Sequence, residues 1–384
     1  MANYDSLFEK ATLPNGSTLN NRFALAPMVV FDGDDEGYVT KESDAFMQRR
    51  NDVGGLLIGG ANAVSKIGIG EQGQLALYDD SFIESQKEYV KGMKAKGNKA
   101  IVQLQNAGRE AHYGQRKYGK AFGPSTVDFP FLDYPVTEMT EGDILQVIDD
   151  FGQATRRAIE IGYDGVEVHG ANHYLLQQFF SSYSNIREDK WGKTLENRMR
   201  FPLAILKEVK ETVKKYGSSD FIIGYRISPE EIHGQNIGYT IDDALKLVEE
   251  VVACGVDYFH VSTFGDESYK SLASAGNQTK PMNTLIKNQI NGRCPLVVVG
   301  GVKSADIAKD ALNYGDIVAM GSVALAEPDF ANKVKEGKKD TINLDVTGRQ
   351  EDLKLPVELA KAYAAGALPL PPVKGIESFT FKED

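Results

Sequence analysis

Residues 165–201 read GVEVHGANHYLLQQFFSSYSNIREDKWGKTLENRMRF, a short buried strand followed at once by polar side chains. The run Gly165–Val168 alternates apolar positions and ends at His169, and Asn172 and Tyr174 follow within five residues. Proteins built on parallel sheets place their chemistry at the carboxyl ends of the strands. The stretch therefore predicts a parallel α/β fold with a functional site at this strand end.

Short apolar runs of the same kind recur along the chain, and helical or polar stretches separate them. The candidate strands are Arg22–Pro27, Gly54–Gly59, Lys99–Gln105, Gly165–His169, Phe221–Ser228, Tyr258–Thr263, Leu296–Gly300 and Ile317–Gly321. Helical periodicity covers Asp143–Ile161 and Thr240–Val252, the second opening on Thr240 as an N-cap. Eight β-branched strands alternating with helices predict a parallel (β/α)8 TIM barrel.

The chain is long enough for this barrel and several additions. We expect one domain over residues 1–384, with its core at about residues 20–335 and a C-terminal extension at 340–384. Within that extension, the segment LPLPPV at residues 368–373 predicts extended backbone.

Two further additions lie before and inside the barrel. Residues 6–21 contain an Asn15–Gly16 turn between short strand-like segments, which predicts an N-terminal hairpin that plugs the bottom of the barrel. Residues 106–140 form a long loop after the third strand that is rich in Gly, Pro, Tyr and Phe. A loop of this length is typical of a lid or a binding loop.

Composition limits the classes of function. The 384 residues carry a formal net charge of -11, which argues against nucleic acid or an anionic membrane as a partner. The two cysteines, Cys254 and Cys294, form no CxxC pair, so disulfide frameworks and iron–sulfur clusters are not expected. The start MANYDSLFEK has no apolar signal region, and no apolar run reaches the ~20 residues of a membrane span. We expect a cytoplasmic protein that acts on small molecules.

Two motif matches are rejected because the neighbouring sequence does not fit the structure that each motif needs. The G-x-G-x-x-G match at residues 68–73 neither follows directly from a strand nor opens a helix, so we reject a dinucleotide-binding turn. Glu167, His169 and His173 resemble metal ligands, but histidines four apart suit zinc only on a helix. Because His169 closes a strand, the two imidazoles are expected to point apart, and we predict no metal site.

The polar cluster after the fourth strand has a chemical interpretation. A histidine and an asparagine such as His169 and Asn172 can both donate hydrogen bonds to one oxygen atom, and Tyr174 can deliver a proton nearby. This set would polarise a carbonyl-like group. The alternative is that the same side chains only satisfy backbone groups of the loop.

Other strand ends carry groups suited to a large polar ligand. The amide of Gln103 fits a ring with mixed donors and acceptors, and Arg226 fits an anion or an electron-rich ring. Gly300, Gly301 and Gly321 expose backbone N–H groups where barrels bind phosphate. The alternatives are a salt bridge from Arg226 to a neighbouring carboxylate, and tight turns that need glycine.

Taken together, these segments resemble the flavin-dependent ene-reductases of the old yellow enzyme family over roughly residues 5 to 335. The supporting segments are NRFALAPM, GGLLIGGANAVS, QLQNAGR, EMTEGDI, GYDGVEVHGANHYLL, SNIREDKWG, LENRMRF, GYRISPEE, VVVGGV and VAMGS. The resemblance implies FMN as the cofactor, with His169 and Asn172 binding the activating oxygen of the substrate and Tyr174 donating the proton. The residues it implies around FMN are Pro27, Met28, Val29, Ala61, Gln103, Arg226, Gly300, Gly301, Gly321 and Ser322.

Three positions depart from the pattern of that family. Val29 stands where Thr or Cys is usual beside the flavin O4, which bears on the redox potential. Ser322 stands where an Arg usually holds the phosphate, a role that Lys303 or Ser322 itself could take. Asn106 replaces the usual His of QLxHxGR, in the loop that would meet the nicotinamide cofactor.

The resemblance implies an FMN-dependent oxidoreductase that takes hydride from NADPH or NADH. It then reduces a C=C bond conjugated to a carbonyl or nitro group. Two rivals are an RNA-modifying flavin barrel, which the charge opposes, and a flavin-binding protein with little catalysis. A homo-oligomer is a further expectation, since barrels with long tails often pair.

Overall fold

Eight parallel strands close into a barrel in the computed structural model, which describes residues 4–367 and 372–381. Each strand pairs with its neighbour in sequence, and the last pairs with the first. The barrel strands are β1 (Phe23–Leu25), β2 (Leu56–Ala63), β3 (Lys99–Gln105), β4 (Gly165–Gly170), β5 (Ile222–Ile227), β6 (Tyr258–Val261), β7 (Leu296–Val299) and β8 (Ile317–Met320). The predicted (β/α)8 TIM barrel is confirmed.

One strand differs appreciably from its predicted extent. β2 was expected over Gly54–Gly59 but runs on to Ala63, because its pairing with β3 shifts register between Gly59 and Asn62 and then resumes. The small residues of this segment have little strand propensity, so the strand continues to Ala63 only because it pairs with β3 there.

Helices cover the outside of the barrel. Those between or after the strands are α1 (Lys41–Arg49), α2 (Phe82–Lys94), α3 (Glu141–Ile161), α4 (Leu195–Tyr216), α5 (Ile241–Ala253), α6 (Met282–Ile290), α7 (Ala305–Ala311) and α8 (Phe330–Lys335). Short additional helices are His112–Tyr118, Leu175–Phe180, Ser322–Ala326, Gln350–Leu353 and Val357–Ala364. α3 begins two residues earlier than predicted because Thr140 and Asp143 form a capping box. Thr240 caps α5 as expected, also in a capping box.

The N-terminal hairpin closes the bottom of the barrel as predicted. Ala11–Thr12 pairs antiparallel with Thr18–Leu19. Leu13 and Leu19 are fully buried and pack with the inward-facing side chains of the strands, including Ile101. One end of the barrel is therefore filled, and the open end lies at the carboxyl ends of the strands.

The long loop and the tail both contain secondary structure. Residues 106–140 contain the helix His112–Tyr118 and a parallel pair of short strands, Ala121–Gly123 with Val136–Glu138. The C-terminal extension packs against the segment after β1, and the buried Arg50 ties it down by donating to the Leu353 carbonyl at 3.0 Å. Most of the expected extended segment, residues 368–371, lies outside the described residues.

Among residues 4–367 and 372–381, no helix has both the length and the apolar character needed to cross a bilayer.

Candidate active site

His169, Asn172 and Tyr174 meet at the open end of the barrel. His169 is buried near the end of β4, and its ring lies edge-on to that of Tyr174, with ring centroids 5.1 Å apart. Asn172 takes a left-handed backbone conformation, with φ 57°, which turns the chain sharply between the two. The structure thus joins His169 to Tyr174 by a ring contact, and Asn172 lines the same cavity as Tyr174.

Two serines that the sequence did not single out fix the orientation of Asn172. The hydroxyl of Ser262 donates to Oδ1 of Asn172 at 2.7 Å, and the backbone N–H of Asn172 donates to the hydroxyl of Ser228 at 3.0 Å. Since the Ser262 hydroxyl occupies the amide oxygen, the amide nitrogen of Asn172 remains as a donor for a ligand.

His169 is a neutral imidazole at physiological pH. Burial lowers its pKa well below the usual value, and the nearby Arg226 and His260 lower it further. Nδ1 of His169 has no hydrogen-bond partner within the described part of the chain. A buried polar atom of this kind is typical of a site that awaits a ligand.

Tyr174 is a protonated phenol throughout the physiological range. Burial raises its pKa to about 12, with the carboxylates of Glu71 and Glu110 adding to the effect. Arg226 and Gln105 oppose that rise without cancelling it. The hydroxyl can therefore donate a proton, but only to a strongly basic atom.

A buried network of polar side chains lies within the barrel near His169. Glu167 accepts a hydrogen bond from the Gln103 amide at 2.6 Å, and its other oxygen lies 2.9 Å from Nδ1 of His260. Although burial favours the neutral acid, His260 and Arg226 hold the pKa of Glu167 below its usual value. The network thus contains an ionised carboxylate that compensates the charge of Arg226.

Arg226 keeps a hydrogen-bond donor that this network does not engage. Its Nε has no hydrogen-bond partner among residues 4–367 and 372–381, and no ion pair within 4 Å joins it to Glu167 there. It lies opposite His169 on one side and His260 on the other in the strand register. Arg226 is therefore attracted to Glu167 electrostatically but forms no direct salt bridge with it. The Nε–H of its guanidinium group remains available as a donor to a ligand.

The residues after β1 and within β2 enclose a small cavity. Met28, Val29 and Ala61 all line it. Pro27 precedes them and is buried. A Cβ placed on Gly321 would lie 3.6 Å from the Met28 sulfur, so the end of β8 adjoins the same segment. The structure therefore brings Met28, Val29 and Ala61 to one cavity, with the end of β8 next to Met28.

The glycines at the ends of β7 and β8 have a structural role of their own. Gly300 and Gly301 have φ values of 133° and 66°, and a Cβ on either would overlap the 265–269 loop. Gly321 immediately precedes Ser322, which opens a short helix. Packing alone requires glycine at positions 300 and 301, which agrees with the tight-turn alternative. Phosphate binding by the backbone N–H groups of Gly300, Gly301 and Gly321 stays a prediction.

Two residues from the comparison with the family pattern have partners within the protein. They are Lys303, the possible substitute for the phosphate-binding Arg, and Asn106, which replaces the usual His. Nζ of Lys303 lies 2.6 Å from Asp266. The Asn106 amide donates to Ser65 Oγ at 3.0 Å and accepts from the Gly108 N–H at 2.9 Å. Asn106 thus holds the start of the long loop in place.

The structure shows what surrounds each of the two rejected motifs. Residues 66–68 form a single 3₁₀ turn, and the next α-helix after β2 begins only at Phe82. Glu167 faces Gln103 and His260, whereas His173 lies beside Glu231, 3.8 Å away. His169 and His173 therefore belong to different clusters.

A cavity of about 340 Å³ lies above Asn172 and Tyr174. The long loop supplies Arg109, His112 and Phe131 to its wall, which supports the interpretation of residues 106–140 as a binding loop. Arg109 is largely neutralised by Glu110, 3.0 Å away, and lies over the Phe129 ring. The opening suits a small, partly apolar molecule.

Sequence reasoning missed His260, Ser262 and Ser228. His260 has a detectable signal, because a histidine inside the apolar run Tyr258–Val261 must find a buried partner. The two serines carry no such signal, since they matter only through their contacts with Asn172, which lies in the segment after β4.

Comparison with known proteins gives a consistent identification. The sequence model of the NADH:flavin oxidoreductase / NADH oxidase family matches residues 6–341. The probable NADH-dependent flavin oxidoreductase YqiG of Bacillus subtilis is 37% identical over 362 residues, which cover 94% of this chain and 96% of that protein.

Two further matches are informative about extent and fold. NADH:acrylate oxidoreductase of Vibrio harveyi is 36% identical over 92% of this chain, but the match spans only 35% of that longer protein. The old yellow enzyme homologue from Zymomonas mobilis superimposes with a TM-score of 0.77 over 92% of this chain and 99% of that chain, at 21% identity, and so shows the shared fold. The chain belongs to the NADH:flavin oxidoreductase / NADH oxidase family, and is an FMN-dependent oxidoreductase with NADH or NADPH as its electron donor.

Proposed function

We propose that this enzyme reduces C=C bonds conjugated to a carbonyl or nitro group. The observation that carries the proposal is the orientation of Asn172 by Ser262 beside the unpartnered imidazole of His169. We infer that these two neutral donors flank one point, and the phenol of Tyr174 is in ring contact with His169. Binding a flavin would need none of these three.

The residues present fit FMN. The unpartnered Nε of Arg226 suits the electron-rich edge of the flavin ring, and the amide of Gln103 suits its mixed donors and acceptors. When bound and reduced by the nicotinamide, FMN supplies the hydride that the β-carbon of the alkene accepts. The residues that would hold it are Pro27, Met28, Val29, Ala61, Gln103, Arg226, Gly300, Gly301, Gly321 and Ser322.

The protein groups then have two tasks. His169 and Asn172 donate hydrogen bonds to the oxygen of the activating group, where negative charge develops, and such preorganised donors give the larger share of the acceleration. Tyr174 donates its proton to the α-carbon. Its pKa of about 12 suits an enolate-like carbon, which is a strong enough base to take that proton.

One comparison favours a second candidate function. The Vibrio harveyi relative has about two thirds of its length outside the match, so its acrylate chemistry does not have to reside in the part that resembles this chain. This chain could then oxidise NADH and pass electrons to another protein. An RNA substrate is disfavoured by the net charge of -11.

Anaerobic turnover separates the two functions. With NADH or NADPH and cyclohexenone as the only acceptor, we expect continuous coenzyme oxidation and the formation of cyclohexanone in equal amount. Coenzyme oxidation that requires an added artificial electron acceptor, and that never consumes cyclohexenone or a nitroalkene, would favour the electron-transfer candidate.

Replacing Val29 with Thr should raise the redox potential of the bound flavin. Val29 lines the same small cavity as Ala61 and carries no donor. A threonine hydroxyl there would add a hydrogen bond of ~0.5–1.5 kcal/mol to the more electron-rich reduced ring, or a rise of roughly 10–30 mV. Dye equilibration of both proteins measures this. An unchanged or lower potential would mean that Val29 does not face the flavin, and Val29→Ile controls for packing.

Ser322→Arg should tighten FMN binding. Lys303 already forms an ion pair with Asp266, so its charge is not free to hold the phosphate at the proposed site. A charge-assisted contact contributes ~1.5–3 kcal/mol, so the dissociation constant should fall about ten- to hundredfold. Fluorescence titration of apoprotein with FMN measures it, with Ser322→Met as the uncharged control. Equal affinity of the Arg and Met variants would place the phosphate elsewhere.

A further inference from the structure

A cluster of three potential metal ligands lies at the rim of the cavity. Nitrogen atoms of His173 and His233 and a carboxylate oxygen of Glu231 all lie within 4.8 Å of one another. The imidazole side chains are 43% and 40% exposed, whereas the carboxylate of Glu231 is fully buried. We propose that these three residues bind one divalent transition-metal ion of the zinc class.

The distances do not fit a set of ordinary hydrogen bonds. Glu231 oxygens lie 3.8 Å from Nδ1 of His173 and 3.6 Å from Nε2 of His233, too far for direct hydrogen bonds. Two ligands of one tetrahedral zinc ion are about 3.3 Å apart, given metal–ligand bonds of ~2.0 Å. The two half-exposed imidazoles would have to rotate to bring the ligand atoms to that spacing.

Glu231 also lacks a permanent positive partner. Within the described ranges, the only side chains that could carry positive charge within 4 Å of it are these two histidines. A buried carboxylate without a cation is costly. A metal ion would supply the missing charge at the place where the carboxylate and both imidazoles converge.

Neighbouring side chains hold the ligands in a form that can coordinate. Glu231 accepts hydrogen bonds from Gln177 at 2.7 Å and from Ser181 at 2.8 Å, which leaves lone pairs on both oxygens. The Gln177 amide nitrogen also lies 3.3 Å from Nδ1 of His173. Since an amide nitrogen only donates, this contact indicates an unprotonated Nδ1 whose lone pair accepts from Gln177, and a metal ion would replace that long hydrogen bond. The contacts of Glu231 with Gln177 and Ser181 are of the kind that orient a metal ligand.

The location suggests what the ion would contact. His173 and His233 line the same cavity as Asn172 and Tyr174, and three protein ligands leave a coordination position for a further oxygen. A carboxylate or carbonyl oxygen of the substrate fits that position. This last step rests on the proposed function, whereas binding of the ion itself does not.

Zinc binding can be measured without turnover. FMN-loaded protein free of any histidine tag is stripped with chelator and dialysed against Zn²⁺, and bound zinc is quantified by elemental analysis. We expect about one tightly held ion per chain. His173→Ala, His233→Ala and Glu231→Gln should each weaken binding by at least about tenfold. His112→Ala is the matched control, because this histidine lines the same cavity but contacts Tyr134 at 3.0 Å.

Co²⁺ absorption and flavin content together distinguish loss of the metal site from misfolding and from adventitious metal binding. Co²⁺ should give ligand-field absorption beyond the flavin bands that the three variants lose and His112→Ala keeps, while flavin content stays normal. Zinc that fails to bind, or that binds equally to all four variants, overturns the proposal. Acetate binding to metal-free protein that the same variants abolish would also overturn it, by making the two imidazoles an anion site.

Discussion

Tyr174→Phe should slow alkene reduction by about 10²–10⁴-fold and leave flavin reduction by NADH nearly unchanged. The phenol is the proposed proton donor, and with a pKa of about 12 it keeps its proton at every working pH. The ring contact with His169 survives in phenylalanine, so the variant removes only the hydroxyl. Anaerobic stopped-flow measurement of the two half-reactions separates the effects.

The control for this experiment is Tyr113→Phe. Tyr113 lies in the long loop, and its hydroxyl donates to the Asp35 carbonyl at 2.9 Å on the surface. It should alter neither half-reaction. If Tyr174→Phe slows both half-reactions equally, Tyr174 has a structural role and the proton comes from another group.

The double variant His169→Ala with Asn172→Ala should lose phenolate binding. A phenolate stacked on the flavin mimics the enolate, with its oxygen between the two proposed donors, and gives a long-wavelength charge-transfer band. Two hydrogen bonds to a charged oxygen at ~1.5–3 kcal/mol each predict a loss of affinity of at least about 10²-fold. Titration with a para-substituted phenol, followed by visible absorption, measures it.

Tyr113→Phe provides the comparison for the double variant, since the hydroxyl of Tyr113 donates to the Asp35 carbonyl at the surface. Its phenolate affinity should stay close to that of the wild type. Persistence of the charge-transfer band in the double variant would show that the oxygen site lies elsewhere. Ser262→Ala should have an intermediate effect, because it releases the Asn172 amide without removing it.

The barrel was predictable because its signals are local. Each strand is a short β-branched run, and each surrounding helix has its own periodicity and often its own cap, as Thr140 and Thr240 show. The part of the site on one strand end was predictable for the same reason. His169, Asn172 and Tyr174 lie within six residues of chain.

The rest of the site depends on register between strands, which single-sequence patterns do not determine. His169, Arg226 and His260 occupy one layer because β4, β5 and β6 pair with His169 opposite Arg226 and Arg226 opposite His260. Glu231 and His233 lie on a short strand beyond β5 and meet His173 only through folding. No local spacing rule joins these positions.

Reoxidation of the reduced enzyme in a single anaerobic turnover tests the central claim most directly. The flavin is reduced with one equivalent of NADH and mixed with excess cyclohexenone in D₂O. The proposed function predicts that the oxidised flavin spectrum returns without oxygen, at a rate that saturates with the enone. It also predicts one cyclohexanone per flavin, with deuterium at the α-carbon. A spectrum that stays reduced until oxygen is admitted, with the enone unchanged, would contradict it.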